Sequence, residues 1–195
     1  YASKIQSLKK HQAPLNKLAE VDYEQVLKLK LAALKELYDA MGEETLESED
    51  FQNFFENNKH WLVPYAAFCF LRDKYGTASF DQWNSHSEYN KKEIEKLCSP
   101  QSATYKNIAF HYFIQYHLHC QLEDTVAYAH RKGVVLKGDL PIGVSKNSYE
   151  AWTSPVLFDR NGQVGAPPDD FTAKGQNWVF PAYNWKRMLQ DGFDW

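Results

Sequence analysis

The chain has 195 residues, 44% hydrophobic and 24% charged, enough for one ordinary globular domain or for part of a larger one. A formal charge of −3 and a pI near 6.2 give no electrostatic basis for binding nucleic acid or an anionic membrane. No segment approaches the apolar length of a membrane span. Cys69, Cys98 and Cys120, odd in number and without CxxC spacing, read as reduced thiols of a cytoplasmic protein.

Both ends, YASKIQSLKKHQ and MLQDGFDW, suggest a piece of a longer protein, because one lacks a methionine start and the other stops on aromatics. Residues 22–41 form the clearest predicted helix. Asp22 and Gln25 suit an N-cap and its N3 partner, Gly42 suits the C-terminal stop, and Tyr23, Val26, Leu27, Leu31, Leu34, Leu37, Tyr38 and Met41 recur at the helical period. A second helix is expected over 50–57 and a third over 61–76, with Pro64 in its first turn. KKEIEK (91–96) reads as a short solvated helix. Residues 103–132 can carry one long helix ending at Gly133. Its apolar positions, among them Ile108, Phe110, Phe113, Leu118, Leu122 and Val126, fall on several faces, which predicts burial on most sides.

After Gly133 the texture changes. VVLK (134–137) reads as a short buried strand, and Asp139 at its C-terminal end is either a turn-former before Pro141 or a site residue at a barrel mouth. Residues 138–183 show little periodicity and are expected to be a long irregular segment, ordered by five prolines and many aromatics. Aromatics make up 15% of the chain, which fits either a rich core or a surface that stacks flat, partly apolar ligands.

The histidines of HYFIQYHLHC (111–120) invite a metal reading but are better read as core or helix-surface residues. His117 and His119 project about 160° apart on a helix, and His117 with Cys120 lacks a third ligand. No GxGxxG, Walker loop or GxSxG occurs, so nucleotide binding and serine hydrolysis lack support. No cofactor is expected.

Four stretches in the last third, GDLPIGVSKNSYEAW (138–152), GAPPDDF (165–171), GQNW (175–178) and FPAYNW (180–185), together resemble the 4-α-glucanotransferases, the amylomaltase or disproportionating enzymes of glycoside hydrolase family 77. NNKHWLVPYAAFCFLRDKYG (57–76) and FIQYHLHCQLEDTVAYAHRKG (113–133) resemble the helical region of that family, so the likeness covers at least 50–195. The Asp-Asp of GAPPDDF and the GQNW stretch are most similar to the branch of disproportionating enzyme 2.

The resemblance implies an α/β fold, part of a (β/α)₈ TIM barrel with a predominantly helical N-terminal part. Residues 1–132 would be a helical subdomain or outer barrel helices. Residues 133–195 would hold one barrel strand, the active-site lid loop and a short helix. It implies transfer of α-1,4-glucan segments between maltooligosaccharide acceptors by a retaining double displacement, with starch, glycogen or maltose metabolism as the setting.

By resemblance, Asp139 faces bound sugar, Asp169 is the acid of the lid loop, and Gln176 and Trp178 lie near the acceptor sugar. Asp170 stands where an aromatic is common, and Val179 where glycine is common. Trp152 and the Asn184–Trp185 pair read as packing and capping residues, with Ser148 opening the turn before Trp152. No Arg-x-Asp nucleophile motif occurs, since LRDK (71–74) sets the acid beside the arginine, so no catalytic carboxylate is expected here. The partners implied are the glucan and the rest of the parent barrel, or self-association of the fragment; alternatively the chain is a non-catalytic α-glucan-binding module.

Overall fold

The computed structural model describes residues 2–195, the side chains of residues 2–5 and 7 excepted. It is predominantly helical: α1 (Ala2–Leu15), α2 (Tyr23–Glu47), α3 (Glu49–Tyr75), α4 (Lys91–Leu97), α5 (Tyr105–Arg131), α6 (Tyr149–Thr153) and α7 (Trp185–Gln190). Short 3₁₀ turns cover Phe80–Gln82 and Pro155–Leu157. The sheet among the described residues is one antiparallel pair, β1 (Phe158–Ala166) and β2 (Gln176–Tyr183). No described helix is long and apolar enough to cross a membrane.

The start of α2 follows the sequence: Asp22 Oδ1 accepts from the Gln25 N–H at 3.0 Å, satisfying one donor of the open first turn. Its end does not. The helix runs through Gly42 to Glu47, and Gly42 lies beneath the ring of Tyr38, where a Cβ would come within 2.4 Å of that ring. Ser48 ends α2 and opens α3, its Oγ accepting from the Phe51 N–H at 3.3 Å.

The two helices expected over 50–76 are one. Pro64 sits inside α3, fully surrounded, although it offers no N–H to the preceding turn. Continuous aromatic packing on both sides of the proline offsets that loss. Phe55 meets Tyr112 at 5.2 Å, Phe51 and Phe54 meet Tyr116, and Phe68 meets Trp83 and Trp152. Asn58 also ties adjoining turns, donating to the Phe54 carbonyl and accepting from Trp61 Nε1.

Packing of α5 is one-ended. Ile108, Ala109, Tyr112 and Phe113 are buried, whereas Leu118, Leu122 and Tyr128 are exposed, so the expected burial on most sides holds only for its first half. In α4 the charge run buries Ile94 alone, and Asn90 Oδ1 caps it by accepting from Lys92 N and Glu93 N. The three cysteines are free thiols, and burial pushes the Cys98 thiol up to about 11.

The core is dominated by aromatics. Trp152, 1% exposed, donates from Nε1 to the His86 carbonyl at 2.9 Å and packs between Phe68, Trp83 and Tyr89. It is a packing residue, and Ser148 caps its helix by accepting from Ala151 N. Asn184 caps α7 as expected, but Trp185 is largely exposed, with one face on Tyr183.

Two further expectations fail. VVLK (134–137) forms no strand. Its backbone joins no ladder and Val134, Val135 and Leu136 are exposed, since a strand requires a neighbouring strand and none lies beside it among the described residues. Residues 158–183, expected to be irregular, form the hairpin instead. Its ladder is interrupted between Asp159 and Gln163 and again between Val164 and Gly165, which erases the alternation a strand normally shows in sequence.

Candidate functional site

The hairpin carries three of the four residues singled out from the sequence. Its closing strands come close together: a Cβ on Gly165 would stand 2.0 Å from the Gln176 carbonyl oxygen, so only glycine fits. Gly175 turns the chain at φ +71, beside Pro167 and Pro168.

Between these glycines Asp169 organises the tip. Its Oδ1 accepts from Thr172 N at 2.7 Å, Thr172 Oγ1 at 2.9 Å and Phe171 N at 2.9 Å. The bonds from the Thr172 N–H, the Thr172 hydroxyl and the Phe171 N–H hold the Asp169 carboxyl below the usual carboxylate range. All three fall on one oxygen, leaving Oδ2 toward solvent. The turn presents Phe171 almost fully exposed, at 94%.

Gln176 and Trp178 are brought together. The Trp178 Nε1–H donates to Gln176 Oε1 at 2.9 Å. The indole N–H and the amide oxygen are thus engaged with each other, and the Gln176 Nε2 protons have no partner among the described residues, beside a half-buried indole.

Asn177, between them, points the other way. Its Nδ2 donates to Gln163 Oε1 across the hairpin at 2.5 Å, and its Oδ1 accepts from Val179 N at 2.8 Å. That clamp holds Val179 at φ +63, a left-handed conformation that a β-branched residue seldom adopts. The bulge at 178–179 then separates Asn177, opposite Gly165, from Phe180, opposite Val164.

Asp139 is not brought into this cluster. It lies in the exposed 134–142 stretch and has no hydrogen-bond or ion-pair partner among the described residues. The same segment reaches the hairpin four residues later, where Gly143 lies against the Phe180 ring with room for no more than a tight Cβ contact at 3.0 Å.

Neither the Asn177 clamp nor an ion pair between Arg160 on β1 and Asp81 has a signature in the sequence. Arg160 Nη1 donates to Asp81 Oδ1 at 2.8 Å and Nη2 to Oδ2, although the two residues are 79 apart in sequence. A groove of about 720 Å³ between α1 and α2, lined by Leu8, Leu15, Val26 and Leu29 among others, is largely aliphatic and shares no residue with the hairpin cluster.

Carboxylate, carboxamide and indole groups held on one stiff hairpin can hydrogen-bond and stack on a pyranose ring, the chemistry of a carbohydrate-handling protein. A family model described as 4-alpha-glucanotransferase, glycoside hydrolase family 77, matches residues 2–195. The chain belongs to that family.

Among its relatives, the 4-alpha-glucanotransferase DPE2 of Oryza sativa subsp. japonica is 47% identical over 90% of this chain and 19% of its own length. A 4-alpha-glucanotransferase of Chlamydia muridarum is 34% identical over 93% of this chain and 34% of its own. The solved structure of amylomaltase from Streptococcus agalactiae in complex with acarbose superposes with a TM-score of 0.75 at 28% identity, over 90% of this chain and 36% of that one. The chain thus spans about a fifth to a third of the length of these relatives.

Proposed function

We propose that this chain is the glucan-gripping part of a 4-α-glucanotransferase, a protein that moves α-1,4-glucan segments between maltooligosaccharides by retaining double displacement. The observation that carries this is the bonded Gln176–Trp178 pair on a glycine-closed hairpin, within a chain that belongs to the family. Gln176 would donate its Nε2 protons to hydroxyls of the acceptor sugar while Trp178 offers its indole face. Asp169, its turn already made through Oδ1, keeps Oδ2 for a further hydroxyl.

In this account residues 133–195 carry the lid hairpin and residues 1–132 the outer helical part. The unpaired 134–137 segment becomes a strand of a (β/α)₈ barrel when neighbouring strands of the whole protein lie beside it. Support comes from its exposed Val134, Val135 and Leu136 and from its β-branched composition. Asp139 would then face sugar at the barrel mouth.

The nucleophile and the general acid/base that a retaining transfer needs would come from elsewhere in the whole protein. The chain alone would be inactive, and its exposed apolar residues would be covered by the rest of the barrel or by a second copy. The setting is cytoplasmic starch, glycogen or maltose metabolism, without a cofactor.

Incubation with maltotriose tests this. The full-length protein containing the chain should form glucose and longer maltodextrins, and the 195-residue chain should form neither. Glucan binding without transfer by the full-length protein would assign a glucan-binding module instead, and neither binding nor transfer would refute the proposal.

A further inference from the structure

The hairpin is attached to the helical body in two ways. At its base Leu157 and Phe158 are buried in the core, and Tyr183 packs against that core. Further along β1, Arg160 reaches back to Asp81 in the Phe80–Gln82 turn and makes a two-pronged ion pair. Among the described residues, no other side-chain hydrogen bond or ion pair joins 158–183 to the helices α1–α5 or the segments between them.

The receiving end is firm. The Arg160 guanidinium lies 4.6 Å from the centre of the Phe80 ring, which is buried at 3% exposure. Trp83, just after the turn, donates to the Thr77 carbonyl at 2.9 Å and stacks on Tyr75.

The buried base, with Phe180 packed on Gly143, leaves the outer part of β1 able to tilt away from the helices. A second attachment off the base removes the freedom, and a planar fork on a carboxylate fixes direction as well as distance. An exposed single-contact ion pair would do little. This one is bidentate, and its guanidinium is seated on an aromatic ring, although the Asp81 carboxylate stays open to solvent. Asp81 is correspondingly held below the usual carboxylate range, chiefly by its hydrogen bond from Arg160.

We propose that Arg160 and Asp81 are positioning residues for acceptor use: a latch that sets the tilt of the hairpin and so the placement of Gln176 and Trp178. Neither touches the sugar. The proposal rests on the glucan-transfer reading of the hairpin.

The test uses the full-length protein, with maltotriose as donor and glucose concentration varied as acceptor. R160Q and D81N should each raise the acceptor KM roughly threefold to tenfold, the scale of one partly exposed charge-assisted pair, with kcat within about twofold of the parent. R160K, which keeps the charge without the fork, should fall between. The R160Q/D81N double variant should be no worse than either single, because one interaction is lost once.

Tryptic cleavage after Lys174, on the exposed hairpin tip, is followed in parallel and should quicken in R160Q and D81N. Unchanged acceptor KM in an active protein, additive effects in the double variant, or a fall in kcat alone that tracks a lower melting temperature would each overturn the latch. An inactive parent with faster cleavage in the variants would instead keep the latch and overturn the glucan-transfer reading. An inactive parent with unchanged cleavage would overturn both.

Discussion

Replacing Val179 with glycine should be nearly neutral for stability, against the usual consequence of that substitution in a strand. Val179 is held at φ +63, where an L-residue is destabilised by roughly 1–2 kcal/mol and a β-branched one lies at the upper end. Glycine removes that strain. It also adds about 0.5–1 kcal/mol of backbone entropy loss on folding. The valine side chain is about half exposed, so its removal gives up about 1 kcal/mol of burial. The contributions nearly cancel, and V179G should lie within about 0.5 kcal/mol of the parent.

V164G is the control. Val164 is half-buried on β1 opposite Phe180 and does not have a positive φ, so glycine there brings the entropy and burial losses with no strain to relieve, about 2 kcal/mol together. V179A keeps most of the strain while losing the methyl groups and should fall between. Urea denaturation at matched protein concentration measures all three. If V179G lost as much stability as V164G, the left-handed bulge would not be a feature of the folded protein.

Other substitutions test neighbouring features. G165A drives a Cβ into the Gln176 carbonyl and should destabilise the hairpin by about 1–3 kcal/mol or more, with faster proteolysis at the tip. W152F removes the bond to the His86 carbonyl and part of a close-packed aromatic cluster, so a loss of about 2–4 kcal/mol in urea denaturation is expected. His111 is buried beside Asp73, Arg72 and Lys35, and burial lowers its pKa from 6.5 to about 4. Because the unfolded chain takes up the proton first, the stability it contributes is present above pH 6.5 and declines as pH falls toward 4. It should shrink by about 2 kcal/mol between pH 7 and pH 5, a decline that H111Q should remove from the urea midpoint.

Features carried by adjacent residues were legible in the sequence. Asp22, Ser148 and Asn184 announce helix starts, and all three accept the expected backbone N–H. Val179, which the resemblance sets at a position expected to be glycine, folds with the positive φ that glycine adopts readily. What was hidden depends on distant partners. Pro64 and Gly42 look like helix ends locally, yet α3 and α2 run through them, with Phe55 packed on Tyr112 and Tyr38 on Phe110 and Phe113 from the distant α5. The VVLK segment has strand composition but no strand beside it among the described residues, whereas FDRNGQVGA lacks strand alternation and pairs nonetheless.

In the candidate site, GAPPDDF and GQNW locate the hairpin by resemblance. That Asp169 closes its own turn, and that Gln176 bonds Trp178, are facts of side-chain direction that spacing does not encode. The Arg160–Asp81 pair, 79 residues apart, leaves no local trace at all.

Gln176 and Trp178 are proposed to receive the acceptor sugar together. Acceptor-dependent transfer by Q176A and W178A variants of the full-length protein tests it most directly, with glucose varied at saturating maltotriose. Each variant should raise the acceptor KM by roughly tenfold or more, the scale of one lost hydrogen-bonded or stacking contact to a sugar, while melting temperature stays near that of the parent. Acceptor kinetics unchanged in both variants would contradict the account.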